Sequence, residues 1–163
     1  MTLPTPLVAA RGLTKKFGDF TAVSGINFSI EKGESFGFLG PNGAGKTSTM
    51  KMVSSVSAPT AGSIDIFGMN TVSYGPEIRS RIGVVPQDDT LELELSVLDN
   101  LMMFGRYFDL PRAVIKERAA ELLDFAQLTE KRDEAVDKLS GGMKRRLTIA
   151  RSLINRPELL ILD

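Results

Sequence analysis

Residues 40–47 read Gly-Pro-Asn-Gly-Ala-Gly-Lys-Thr, and no other stretch restricts the fold of this chain so tightly. The apolar run ESFGFLG at 34–40 has the character of a compact strand, and a helix-compatible stretch follows from Lys46 to about Val56. A G-x-x-x-x-G-K-[ST] pattern between a strand and a helix is a phosphate-binding loop in the context it requires. Gly40, Gly43 and Gly45 let the backbone turn its N–H groups inward around phosphate oxygens with no Cβ in the way. The helix that opens near Lys46 adds the positive end of its dipole. Lys46 then reaches the β- and γ-phosphates, and the Thr47 hydroxyl is placed to hold Mg²⁺. With glycine at about 7% of average composition, a chance match in this context is about one in a hundred or less, so an ordinary glycine turn is set aside.

The rest of the chain bounds the kind of domain around that loop. From Leu7 to Ile30 the short apolar pieces LVAA, FTAV and INFSI alternate with Gly12, Gly18, Gly25 and Gly33, which predicts short strands joined by tight turns. SIDIFG at 63–68 and IGVVP at 82–86 read as further strands. Apolar residues at helical spacing then predict mostly helix from Ser96 to about Ile154, before LLILD at 159–163 returns to strand. The 163 residues suit one domain that buries roughly 70% of its unfolded surface. Lys plus Arg and Asp plus Glu balance at 20 each, so charge names no nucleic acid or polyanion as partner. The chain has no Cys and no His, which excludes disulfides, thiolate metal sites and any imidazole base. MTLPTPLVAARG does not read as a signal peptide, and no run of about 18 apolar residues suggests a membrane span, so a soluble cytoplasmic chain is expected.

A phosphate loop alone leaves kinase, GTPase and motor open. A second stretch, LSGGMKRRLTIARSL at 139–153, narrows the choice. Ser140, Gly141 and Gly142 open an amphipathic helix whose inward members are Leu147, Ile149, Ala150, Leu153 and Ile154. This is a second helix N-terminus exposed for an anion, although SGG taken alone is more often a plain capping turn. The KRR run at 144–146 is read as the solvated face of that helix.

Taken jointly, GPNGAGKT, LSGGM and the terminal LLILD resemble the ATP-binding subunits of ABC transporters, in order and in spacing, from about Leu7 to the last residue. The resemblance implies an α/β P-loop NTPase fold: an ABC nucleotide-binding domain with an antiparallel β subdomain and a helical subdomain. It implies residues 7–87 as β subdomain and phosphate-loop core, 88–138 as helical subdomain, and 139–163 as signature helix and the strand carrying the metal-holding acid. ATP and Mg²⁺ are the implied cofactors. Gly40, Pro41, Asn42, Gly43, Ala44, Gly45, Lys46, Thr47 and Ser48 would wrap the phosphates, and Phe17 falls where an aromatic ring underlies adenine, with a simple core Phe nearly as well supported. Leu139, Ser140, Gly141, Gly142 and Met143 would cover the ATP of a partner subunit, Met143 standing where glutamine is usual. Thr47, Gln87 and Asp163 would serve the metal, Gln87 also contacting the attacking water.

The stretches GVVPQDDTLELELSVLDNLMMFGRYFDLP and LSGGMKRRLTIARSLINRPELLILD are similar to the branch of that family that exports nodulation factors (lipo-chitooligosaccharides), with drug exporters among its relatives. The implied function is an ATPase that drives efflux as a head-to-tail homodimer bound to a transmembrane permease, peripheral to the cytoplasmic face of the inner membrane, with no nucleic acid expected. Met102, Met103, Phe104, Tyr107 and Phe108 are candidates for the permease contact, with core packing the commoner use of such residues. In that family a catalytic glutamate follows the acid matching Asp163, and a switch histidine lies on a further core strand. Neither is in this sequence, so the resemblance implies a cassette lacking the C-terminal part of its core sheet. Such a chain could bind Mg-ATP, yet without a positioned base a loss of about 10²- to 10⁴-fold in turnover is expected. Unpaired edges on two buried strands would cost roughly 1–3 kcal/mol per polar group against a total stability of about 5–15 kcal/mol. A non-hydrolysing nucleotide-binding module and a soluble ABC ATPase of repair or translation are the competing readings.

Overall fold

The computed structural model describes residues 5–88 and 90–163. The chain forms two compact units, one ending at Arg79 and the other spanning Ser80–Asp163.

The first unit is built on an antiparallel sheet. Strands β1 (Val8–Phe17), β2 (Phe20–Ile30), β3 (Ala61–Ile66) and β4 (Met69–Asn70) lie in the order β2-β1-β3-β4. The expected series of short strands is instead two long ones: Gly12 and Gly25 fall inside β1 and β2, where the register shifts, and only Gly18 makes the turn between them. A local extra residue bends a strand without ending it, so glycine punctuation marks bulges here as well as turns. Val8, Leu13, Ile64 and Ile66 are fully buried, and helix α1 (Lys46–Val53) packs on β2 and β3 through Met52 and Val53. Helix α2 (Gly75–Ser80) follows, anchored by buried Ile78.

The run ESFGFLG, expected as a strand, has no ladder partner among the described residues. An apolar run becomes a strand only where a neighbour takes its N–H and C=O groups, and apolarity alone does not supply one. Its rings cluster instead. Phe36 stacks on Phe28 at 5.7 Å, and Phe38 meets both edge-on at 5.2 Å.

The second unit joins a two-stranded parallel sheet to a helical core. Strands β5 (Ile82–Val85) and β6 (Leu159–Leu162) pair in register from Ile82↔Leu159 to Val85↔Leu162. Between them run α3 (Val97–Arg106), α4 (Arg112–Phe125) and α5 (Gly141–Ser152), with single turns of 3₁₀ helix at Thr129–Lys131 and Val136–Lys138. Ser96 caps α3, its Oγ accepting the Asp99 N–H, and Asp99 places a carboxylate in the first turn. Leu101, Ile115, Leu128, Leu147 and Ile154 form the centre of one apolar core. At Gly105 the two helices α3 and α4 approach so closely that a Cβ would stand 2.7 Å from Ile115 Cγ2. Met102, Phe104 and Phe108 pack against this core, which favours the packing use of those side chains, whereas Tyr107 is exposed. Beyond α5, Asn155 Nδ2 donates to the carbonyls of Ser80 and Ile82, and Arg81 forms a two-pronged ion pair with Glu158. These contacts fix the start of β5 beside the start of β6. No helix among the described residues is long and apolar enough to cross a membrane.

Candidate functional site

In the first unit the phosphate loop lies between the aromatic cluster and α1. Gly45 is the N-cap of α1 and has φ +81°, in the left-handed region. A Cβ there would stand 2.2 Å from the Ala22 carbonyl oxygen, so both the backbone conformation and the close approach of β2 require glycine. The first intrahelical bond runs from the Thr49 N–H to the Gly45 carbonyl at 2.8 Å. The N–H groups of Lys46, Thr47 and Ser48 precede it and therefore have no acceptor within the helix. Gly45 offers no side chain to take one of them, and the first turn carries no acid. Lys46 Nζ donates to the carbonyls of Gly40 and Pro41, both at 2.7 Å, which centres the ammonium within the loop. Ala44 closes the turn through its N–H to the Pro41 carbonyl, and Asn42, Gly43 and Thr47 are exposed. Beside the loop is a groove of about 490 Å³ walled by Val23, Phe36, Phe38 and Leu39, with Lys46 and Thr49 at its polar side.

Phe17 ends β1 opposite Phe20 at the hairpin turn and is 56% exposed, with Lys15 Nζ 5.3 Å from its ring centre. The core role weighed for it in the sequence is therefore excluded.

The second unit carries the remaining candidates. Asp163 follows β6 and donates its N–H to the Val85 carbonyl at 3.0 Å, and Gln87 lies two residues past Val85. Both thus leave the carboxyl ends of adjacent parallel strands, the edge where ligands bind in open α/β sheets. Ser140 is the N-cap of α5: its Oγ accepts the Met143 N–H at 3.3 Å, and Gly141 and Gly142 are exposed in front of it. Leu139 is buried in the helical core and holds the start of this turn in place. Leu147, Ala150 and Ile154 are fully buried as the helical spacing predicts, with Ile149 and Leu153 half-buried.

The solvated-face reading of KRR needs correction. Arg145 donates to the Pro86 carbonyl at 2.6 Å, and Arg146 donates to the Ala126 carbonyl at 2.9 Å and to Gln127 Oε1. A guanidinium with several donors can bind backbone carbonyls on neighbouring segments while its face stays wet. Two further residues escaped the sequence reading. Arg151 is buried under the Phe104 ring and donates to the Thr90 carbonyl and hydroxyl. Asn100 is fully buried, its amide donating to the Glu92 carbonyl and its oxygen accepting the Glu92 N–H. A polar residue at an inward helical position was the available signal for both.

As to metal, no group of three acid or imidazole side chains that could hold one occurs among the described residues. The oxygen donors of Thr47, Gln87 and Asp163 are nonetheless of the type that suits Mg²⁺, which keeps waters and is completed by substrate phosphates rather than by a protein cage. The candidate residues fit that ion in kind.

The chain is 48% identical over 159 residues to the Nod factor export ATP-binding protein I of Ralstonia nicotianae, covering 98% of this chain and 50% of that protein. It is 48% identical over 160 residues to the protein of that name from Rhizobium meliloti, covering 98% of this chain and 48% of that one. The chain thus spans about half the length of these curated relatives. Among solved structures, cbiO1 of Clostridium perfringens, part of the cbiONQ ABC transporter complex, is similar with a TM-score of 0.85 at 28% identity, over 97% of this chain and 65% of that one. An ATP-binding cassette in a dimeric post-hydrolysis state, bound to ADP and Pi, gives 0.83 at 28% identity, over 96% and 73%. The family model described as ABC transporter matches residues 23–163. The chain belongs to the ABC transporter family.

Proposed function

We propose that this chain is the ATP-binding part of an exporter's energy-coupling subunit, binding and hydrolysing Mg-ATP to drive efflux. The observation that carries the reading is the phosphate loop: Lys46 centred among the loop carbonyls, in front of a helix whose first-turn N–H groups have no cap. An uncapped, acid-free helix end with a lysine in front of it is suited to a polyphosphate and to little else.

In this reading Gly40–Ser48 hold the phosphates and Phe17 offers its exposed ring to the adenine. As the family resemblance implies, the Thr47 hydroxyl, the Gln87 carboxamide and the Asp163 carboxylate would hold Mg²⁺, Gln87 also orienting the attacking water. Bound Mg²⁺ supplies neutralisation of the charge that develops on the β- and γ-oxygens. Lys46 binds the same oxygens as a point charge. Leu139–Met143 present the α5 end to nucleotide held by a second copy, so that two chains join head to tail; a dimeric cassette among the structural relatives supports this. Residues 7–87, 88–138 and 139–163 then serve as phosphate-loop core, helical subdomain, and signature helix with metal strand. The relatives' names, which give Nod factor export, support a lipo-oligosaccharide of that kind, or a drug, as cargo, and a relative that is part of an ABC transporter complex supports a membrane permease as the partner that would hold the chain at the cytoplasmic face of the inner membrane.

The test is phosphate release by the full-length protein reconstituted with its permease in vesicles, beside Lys46→Ala. Turnover that disappears in the variant supports the reading. Turnover insensitive to Lys46, or no nucleotide binding at all, defeats it.

A further inference from the structure

Helix α5 contributes two arginines to the segment that follows β5. Arg145, in the second turn of the helix, donates from Nη1 to the Pro86 carbonyl at 2.6 Å. Arg151, six residues on, donates from Nη1 to the Thr90 carbonyl at 2.8 Å and from Nη2 to the Thr90 hydroxyl. Gln87 therefore lies on a short bridge whose two ends are held by one helix.

The helix that holds this bridge is the one whose first turn is Gly141–Gly142. Gln87, Asp88, Gly141, Lys144, Arg145 and Thr148 line one recess of about 130 Å³, which puts the glutamine segment against that same turn. The two clasps differ in kind. Arg151 is 6% exposed and sits 4.7 Å from the centre of the Phe104 ring, so its end cannot be released without disturbing the core. Arg145 is exposed, and its bond to Pro86 is made in reach of water. It can be broken and remade without unpacking anything.

We propose that Arg145 is a positioning residue for Gln87: by holding the Pro86 carbonyl it ties the glutamine to the first turn of α5, so that displacement of the Ser140–Met143 turn is passed to Gln87. This rests on the roles given above to Gln87 and to residues 139–143. In this reading Arg145 acts through the backbone that carries Gln87 and not on nucleotide or metal. Its loss should leave ATP binding intact and change only how well Gln87 is placed.

The experiment compares the wild-type full-length protein with Arg145→Ala and Arg145→Lys by two readouts. The first is amide hydrogen exchange without nucleotide. Arg145→Ala should speed exchange at residues 87–91 about five- to tenfold, the size of one charge-assisted hydrogen bond at a wet site, with α5 amides and the thermal midpoint unchanged. Arg145→Lys, which keeps a cationic donor, should restore most of the protection. The second readout is steady-state turnover, where Arg145→Ala should lower kcat about tenfold with KM for ATP unchanged. Unchanged exchange at 87–91 overturns the proposal. Faster exchange along all of α5 with a lowered midpoint also overturns it, since Arg145 would then be a structural contact only. If the wild type shows no turnover, the ATPase reading fails, while the exchange measurement still decides the tether.

Discussion

The N-terminal ends of α1 and α5, the two candidate anion sites, are built in opposite ways. At α1 the N-cap is Gly45 in a left-handed conformation, no side chain caps the helix, and Lys46 adds a full positive charge. At α5 the N-cap is Ser140, whose hydroxyl is already occupied by the Met143 N–H, and the glycines in front of it bring no charge of their own. The first end has unmet donors and a cation, so it can bind a phosphate unaided. The second has one donor met by its own cap and no lysine centred on it, which suits it to closing over an anion that something else holds. The difference suits the proposed head-to-tail pairing, in which one chain would supply half of each of two sites.

The largest expected effect comes from removing the cation. Lys46→Ala should reduce ATP turnover by more than about 100-fold, checked by phosphate release, because a buried phosphate loses its charge-assisted bonds. Gly45→Ala comes next: the added methyl meets the Ala22 carbonyl and the φ is unfavourable, so unfolding in denaturant should show a loss of about 2–3 kcal/mol. Ser140→Ala, which removes the cap on the other helix end, should cost about 1 kcal/mol in the same assay and leave the single chain's ATP affinity alone. Equal effects of Gly45→Ala and Ser140→Ala on affinity would erase the contrast between the two ends. The smallest effect is at the exposed Arg81–Glu158 pair, where Glu158→Ala should cost no more than about 0.5 kcal/mol. The side-chain bond to Glu158 raises the Arg81 pKa, so on the alkaline side that part of the stability is lost only as pH rises beyond the ordinary arginine range. Stability measured between about pH 6 and 9 should not vary through the titration of Arg81.

How much could be read from the sequence follows the same division. The phosphate loop was legible because much of its chemistry is local: Lys46 binds carbonyls five and six residues before it and Gly45 starts the helix, whereas the approach of Gly45 to the Ala22 carbonyl could not be read. Ser140 as cap and the inward face of α5 were legible for the same reason. Arg145 and Arg151 were not, since their acceptors are backbone carbonyls 59 and 61 residues away, and a carbonyl leaves no mark on the residue type that carries it. ESFGFLG misled in the opposite sense. Its apolarity is real and is used, in the Phe28, Phe36 and Phe38 cluster, but strand pairing is a property of two segments. Gly12 and Gly25 show that the residue type which ends a strand also bends one.

The most direct test is Mg-ATP affinity by titration calorimetry on the chain, with Lys46→Ala and Ser140→Ala side by side. The account predicts that binding is lost in Lys46→Ala and kept within about twofold in Ser140→Ala, as expected if nucleotide is held by one helix end and only covered by the other. Binding that survives loss of Lys46, or that falls as far with Ser140→Ala, would contradict it.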